Sequence, residues 1–240
     1  MKILLTIVVC NEANKDLPAC DGIEFIYPEE NEAEKAFLTR ALKSAKGKYS
    51  YICPHKIRLA DAQSLLNILD KNSADMVSFM GGAVIKTSEL KSVVKDCPDA
   101  FSLCALAVME SKTSLKTVYT PFIIEKGTVK FTNENTEGML LAASEFKKVK
   151  AKLSKEIYSY AFEMLCARII EYYLYAMLSI RDGKLETDKL KEFDNKLKAE
   201  IVLYLAVDKR FTAAKLQKLR AKGFKISYFT AKKFKKQIKY

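Results

Sequence analysis

The only histidine of the chain, His55, is followed by Lys56. The pair comes just past the stretch "YSYIC" (residues 49–53), whose aromatic and β-branched residues read as a buried strand. An imidazole titrates near neutral pH and can serve as a base, and an ammonium is a compact partner for phosphate. Asn11 and Glu12 end the opening apolar run, and Asn31 stands ahead of a helical segment. In "FTNENTEGML" (131–140), Glu134 and Glu137 offer carboxylates that could take a proton from an attacking hydroxyl. Glu137 is the candidate base, and Lys56 the candidate phosphate partner. No acid or nucleophile is identifiable beside His55, so alone it makes no catalytic set.

The six cysteines (Cys10, Cys20, Cys53, Cys97, Cys104, Cys166) contain no CxxC pair. With a single histidine they give no zinc-ligand spacing, and buried free thiols in a reducing cytoplasm are expected. No metal and no cofactor is expected.

Charge is distributed very unevenly. Residues 209–240 hold twelve of the 41 Lys and Arg and none of the 29 Asp and Glu, so the rest of the chain balances at 29 of each sign. The whole excess of +12 therefore lies in this tail. Its charges alternate with Phe211, Leu216, Leu219, Phe224, Ile226, Phe229, Phe234 and Ile238, so the tail should pack and leave a lysine face. Lys232, Lys233, Lys235 and Lys236 are the expected contacts to an anionic surface. Acidic lipid headgroups rank ahead of nucleic acid, for which no motif is present; a protein partner stays open. The most apolar stretch, 157–180, is interrupted by Glu163, Arg168 and Glu171 and does not read as the ~20-residue run needed to span a bilayer. The opening "MKILLTIVV" lacks a cleavage site and reads as a strand rather than a signal peptide. A cytoplasmic protein, attached peripherally at the inner face of the membrane by its tail, is expected.

The elements that would position these residues alternate over residues 1–143. "KILLTIVV" has the continuous apolar pattern of a strand buried on both faces. "GIEFIYP" is a second strand, and a helix over 33–46 comes after it with Gly47 in the C-cap position. After the strand at 49–53, Asp61 caps a helix carrying Leu65, Leu66, Ile68 and Leu69. "DMVSFM" is a strand broken at Gly81-Gly82, residues 87–94 form a short helix, and "PFIIEKGTVKF" reads as a hairpin turning at Lys126-Gly127. This alternation predicts an α/β layer with a mostly parallel sheet and flanking helices. From about residue 144 the period becomes helical. Two long helices, one to Arg181 and one from Thr187 through Leu205, form an antiparallel hairpin. A short helix, a strand-like "FKISYF" (224–229) and a basic helix from Thr230 complete a second region, 144–240.

The helix–Gly–strand segment from Asn31 to Leu69 resembles family-2 glycosyltransferases, which have the GT-A fold. Asn31 stands at the start of that family's motif, and Ala45-Lys46-Gly47-Lys48-Tyr49 matches its end without a gap. "TIVVCNE" is similar to the family's first strand with its Asn11-Glu12 end, and "ADMVSF" and "AVIKTSELKSV" are similar to its later strands and short helix. The resemblance covers roughly residues 1–140. It implies a truncated GT-A-like domain, with nucleotide-sugar contacts at Asn11, Glu12, Asn31 and His55.

The departures fall at functional places. The family's Arg-Asn pair corresponds to Leu38-Thr39, and its metal-holding Asp-x-Asp to Pro54-His55-Lys56. Only about ten residues separate Asn11 from the next strand, so a helix and a base-contacting strand are missing, and Gly138 stands where the acceptor-site Asp would. The resemblance then implies a degenerate, non-catalytic or altered glycosyltransferase-like protein of surface polysaccharide synthesis, with a nucleotide sugar or glycan as ligand. Two other readings stay open. One is an active, metal-independent transferase; the other is a basic module for an anionic membrane or polymer.

Overall fold

The computed structural model describes residues 2–10, 17, 19–53, 56–79, 82–116, 123–126, 131–211 and 216–237. Asn11, Glu12, Pro54, His55 and Ile238 lie outside them. The chain begins with β1 (Leu5–Val9), β2 (Ile23–Ile26), α1 (Glu34–Ser44), β3 (Tyr49–Cys53) and β4 (Lys56–Leu59). Next come α2 (Ala62–Lys71), β5 (Met76–Phe79), β6 (Gly82–Lys86), α3 (Thr87–Val93), α4 (Ala100–Glu110), β7 (Ser114–Lys116) and β8 (Ile123–Lys126). Six strands form a mixed sheet in the order β2-β1-β3-β6-β5-β7. β1 pairs in parallel with both β2 and β3, β5 pairs in parallel with β7, and β6 runs antiparallel to β3 and β5. The alternation of strand and helix patterns predicted this α/β architecture.

β1 is buried along its whole length, as its β-branched run predicts, with the one polar member, Thr6, hydrogen-bonded. Leu5, Ile7 and Val9, with Tyr49, Tyr51 and Cys53 of β3, face Leu65, Leu66 and Leu69 of α2. Val8 and Ile52 point the opposite way, into a cluster that continues through α1, α3 and α4. Asp61 caps α2 by accepting from the Ser64 N–H at 3.1 Å, as its position before the apolar run predicts.

Short polar contacts lock the lower end of the sheet. The Gly47 N–H donates to Thr6 Oγ1 at 2.9 Å, and Thr87 Oγ1 donates to the Gly47 carbonyl at 2.7 Å. Thr6 Oγ1 and the Lys46 N–H both donate to Glu24. Gly47 is therefore not a helix cap. α1 ends at Ser44 with Ala45 as its cap, and the glycine is needed because a Cβ would meet the Thr6 nitrogen at 2.5 Å. Across the sheet, Asp75 accepts from Lys86 Nζ at 2.7 Å and from the backbone N–H groups of Lys112 and Thr113 at 3.0 Å, tying β5, β6 and β7 together.

Several local expectations are corrected. The turn and second arm of the hairpin expected at 121–131 lie largely outside the described residues. β8 pairs antiparallel with β4, from Lys56↔Lys126 to Leu59↔Ile123, so Lys56 opens a strand and not a loop. Helix α4 has no counterpart in the sequence pattern because eight of its eleven residues are buried, which leaves no polar face and no amphipathic period. Cys10, Cys20 and Cys104 are only half-buried, whereas Cys53, Cys97 and Cys166 are buried, and none of the six is in a disulfide.

The helical region starts with α5 (Asn133–Val149), which runs through position 143/144, and continues with α6 (Lys155–Arg181). The single helix expected from Thr187 is two, α7 (Thr187–Leu197) and α8 (Ile201–Arg210), separated by a turn at 198–200. The last two helices are α9 (Leu216–Ala221) and α10 (Tyr228–Gln237). The strand expected at 224–229 is absent. Phe224 takes a left-handed φ of 62° after Gly223, and Tyr228 already begins α10. Among the described residues no helix is long and apolar enough to cross a membrane.

One buried cluster runs from Val8 and Phe37 through α4, α5 and α6 to Phe234 of α10, so sheet and helical region share a core. The tail is held by Arg220 as well as by its apolar residues. Arg220 donates to Asp194 and Asp208, each at 2.8 Å, and lies 4.0 Å over the Tyr204 ring. Asp194 also accepts from the buried Tyr173 hydroxyl.

Two substitutions probe the stability of the sheet. Gly47→Ala must displace β1 backbone, and a loss of about 1–3 kcal/mol is expected in urea unfolding. For Asp75, burial raises the carboxyl, but Lys86 and the two backbone N–H groups outweigh it and hold the pKa at about 2. A lowered carboxyl stabilises the fold at pH values above its unfolded pKa. That contribution, on the order of 2 kcal/mol, is lost as pH falls from about 4 towards about 2. Asp75→Asn should flatten the stability curve over that window, and an unchanged slope would contradict the assignment.

Candidate functional site

In an open α/β sheet, ligands bind outside the carboxyl ends of the strands, where the strand order reverses. Here the reversal lies at β1, from which the chain passes to β2 on one side and to β3 on the other. The carboxyl ends of β1 and β3 are joined by the Cys10 N–H donating to the Cys53 carbonyl at 2.9 Å. They lead into residues 11–16 and 54–55.

Three helix starts gather beside these strand ends. Glu34, in the first turn of α1, accepts from the Ala100 N–H at 2.9 Å and so satisfies a free donor at the start of α4. Asp99, fully buried, caps the same helix by accepting from the Ser102 N–H at 2.9 Å and from Ser102 Oγ at 2.6 Å. Asn135 of α5 donates to Asp99 at 2.9 Å, and its carbonyl accepts from the Thr132 N–H at 3.0 Å, so one amide links the starts of α4 and α5. Gly138 lets α5 come this close, since a Cβ there would lie 2.2 Å from Asp99 Oδ1. Burial, with Glu34 the leading charged neighbour and Asp99 adding to it, pushes the Cys10 thiol well above its usual range. Such a thiol stays neutral at physiological pH and is a poor nucleophile.

Arg168 of α6 brings positive charge into this group. It is 8% exposed, with its guanidinium 4.4 Å from the Phe131 ring centroid and 5.5 Å from that of Phe101. Nη1 lies 3.4 Å from Glu171, and Nε is a buried donor without a partner among the described residues. Burial lowers its pKa, and the charges of Glu171, Asp99 and Glu34 act against that. Arg168 was visible in the sequence only as a break in an apolar run. Its position on α6 shows that it faces Phe101 and Phe131, some 67 and 37 residues earlier by number.

The sequence-derived candidates are not brought together as one set. Asn11, Glu12 and His55 lie outside the described residues. Lys56 is fixed by pairing with Lys126 at the start of β4. Asn31 is exposed in the turn before α1, with a left-handed φ of 59° that asparagine tolerates. The next residue, Glu32, is held by Arg40 at 2.7 and 2.9 Å. Glu137 is exposed on α5, where its charge acts on Lys196 of α7. Lys232, Lys233, Lys235 and Lys236 are exposed on α10. The Asp99–Asn135–Glu34 group escaped sequence reasoning, although Asp99-x-x-Ser102 is a helix-start pattern that could have revealed α4.

The class defined at this point is a mixed α/β protein with a switch point between β1 and β3. Compared with protein-family models, with curated proteins and with solved structures, the chain matches none.

Gly138→Ala tests the closeness of α5 to Asp99. Helix propensity alone would stabilise the variant by about 1 kcal/mol. The buried, triply bonded Asp99 cannot move aside, so a net loss of about 1–3 kcal/mol is expected. In an Asp99→Ser background that penalty should shrink, and a purely additive double-mutant cycle would disprove the contact.

Proposed function

We propose that this chain is a divergent family-2 glycosyltransferase-like protein whose GT-A-like domain has lost metal-dependent sugar transfer. It acts in surface-glycan synthesis as a non-catalytic or altered member, a role that rests on the resemblance alone. The observation that carries the reading is a coincidence of position. The strand ends at the switch point run into residues 11–16 and 54–55, the segments to which the resemblance assigns donor contacts and metal ligands.

The chemistry comes from residue types. A diphosphate leaving group gains negative charge as the glycosidic bond breaks, and a carboxylate-held divalent ion normally offsets it. Proline offers no side-chain ligand atom, and an ammonium cannot coordinate a metal. The nearby carboxylates of Glu34 and Asp99 are engaged with backbone and amide donors at the start of α4.

A second reading, an active metal-independent transferase, draws support from Arg168. A guanidinium near Asp99 and Glu34 whose Nε has no partner among the described residues would be a donor for phosphate oxygens if a ligand reached it. Lys56 is the other candidate for that role.

The test measures melting temperature with a series of sugar nucleotides, with and without manganese, alongside donor hydrolysis and transfer. Ligand that binds the native state raises the melting temperature by mass action. Stabilisation without turnover and without manganese dependence is expected. Turnover that vanishes in both Lys56→Ala and Arg168→Met would favour the second reading, and manganese-dependent turnover would overturn both.

A further inference from the structure

The outward face of α10 carries more than charge. Ala231 and Phe234 are its buried positions, with Phe234 packed edge-on against Phe211 at 5.7 Å between ring centroids. On the opposite side, Phe229, Lys232, Lys233 and Lys236 recur at i, i+3, i+4 and i+7, which places them in one stripe along the helix. All four are exposed, Phe229 at 77%. Beside it Tyr228 is 65% exposed, its ring 5.9 Å from that of Phe229 and 5.5 Å from the Arg181 guanidinium.

Independently of the glycosyltransferase-like reading, we infer that α10 is an interfacial anchor for an anionic lipid surface. Phe229 enters the headgroup boundary, and Lys232, Lys233 and Lys236 pair with lipid phosphates and carboxylates around it. Three observations select this partner. A helix lying in a membrane interface has an apolar side chain and cations on its outer face and is joined to the protein by the other face. The long lysine stems can lie along acyl chains while their ammonium groups stay in the headgroup layer. The stripe contains lysine and no arginine, whereas recognition of nucleic acid and phosphopeptides favours the bidentate guanidinium. The two arginines of the tail are otherwise engaged: Arg210 pairs with Glu163 at 2.6 Å, and Arg220 pairs with Asp194 and Asp208. Among the described residues, the tail's cations thus divide into arginines that hold the fold and lysines that remain on the surface.

The chain contains no tryptophan, so Phe229→Trp in the full-length protein gives a single reporter at the proposed point of insertion. Asn67→Trp on α2, which covers the other face of the sheet, serves as control. Both proteins are titrated with phosphatidylcholine vesicles, with phosphatidylcholine–phosphatidylserine vesicles and with single-stranded oligonucleotide, at low and high salt. The expected result is a blue shift of the residue-229 tryptophan on serine-containing vesicles, quenched by brominated acyl chains, with no shift at position 67. Each lysine near an anionic leaflet contributes about fivefold to binding, so Lys232→Ala/Lys233→Ala/Lys236→Ala should weaken sedimentation with these vesicles on the order of a hundredfold. Phe229→Ala should weaken it roughly tenfold with the lysines intact. High salt should release the protein, because surface charges are screened within about 10 Å at 0.1 M. Because all four positions are exposed, circular dichroism of each variant should match the parent, and a variant that fails this check is replaced by Phe229→Ser or Lys→Gln. An unshifted emission on serine-containing vesicles, an equal shift on neutral ones, or a response to oligonucleotide alone would each overturn the inference.

Discussion

A helix buried on all sides cannot leave its first N–H groups to water, and that constraint organises this molecule around α4. Its amino end receives Glu34 from α1 and Asp99 from its own cap, and Asp99 in turn requires donors. A buried carboxylate without them would cost several kcal/mol. Ser102 and Asn135 supply them, and Asn135 can reach only because Gly138 allows α5 to approach. The helices beyond the sheet are therefore not a separate appendage. α5 is fixed by the needs of α4, and α6 brings Arg168 against Phe101 of α4.

The two ends of the sheet are built differently. At the lower end, hydroxyl, amide and carboxylate groups of Thr6, Glu24, Gly47, Thr87 and Asp75 are matched to named partners and leave little freedom. At the upper end, where β1 and β3 run out, the described side chains include half-buried Cys10, buried Cys53 and the nearby charges of Glu34, Asp99 and Arg168. The Ala45–Tyr49 stretch belongs to the lower end. Its glycine and tyrosine hold the sheet together, with Tyr49 Oη donating to the Ala74 carbonyl at 2.9 Å. The residue types of this stretch are explained by packing alone.

The C-terminal region reuses the same principle with arginine. Asp194 lies buried among Tyr173 and Phe193, and Arg220 neutralises it while stacking on Tyr204. A planar, permanently charged guanidinium suits this position better than an ammonium, because it donates to two carboxylates and presents a face to an aromatic ring. Lysines, which would be costly to bury, stay on the outside of α10.

Pattern alone determined much of the sheet domain. The β-branched run gave β1, the spacing of Phe37, Ala41 and Leu42 gave α1, Asp61 marked the start of α2, and the excess of basic residues marked the tail. These are local signals, written within a few residues of the element they specify. The tertiary structure decided whatever depends on contacts between distant residues. The pairing of β4 with β8, the 66-residue reach from Glu34 to Ala100 and the 36-residue reach from Asn135 to Asp99 have no local signature. Helix α4 was hidden for a related reason, since burial on every side erases the polar face by which a helix is recognised. Gly47 could be seen as a special position from sequence, but only the approach of β1 showed that the constraint is space rather than a left-handed turn. Arg168 could be seen as a charge within an apolar helix. That it lies against the rings of Phe101 and Phe131 is a consequence of the fold, because only packing brings α6 to residues so far back along the chain.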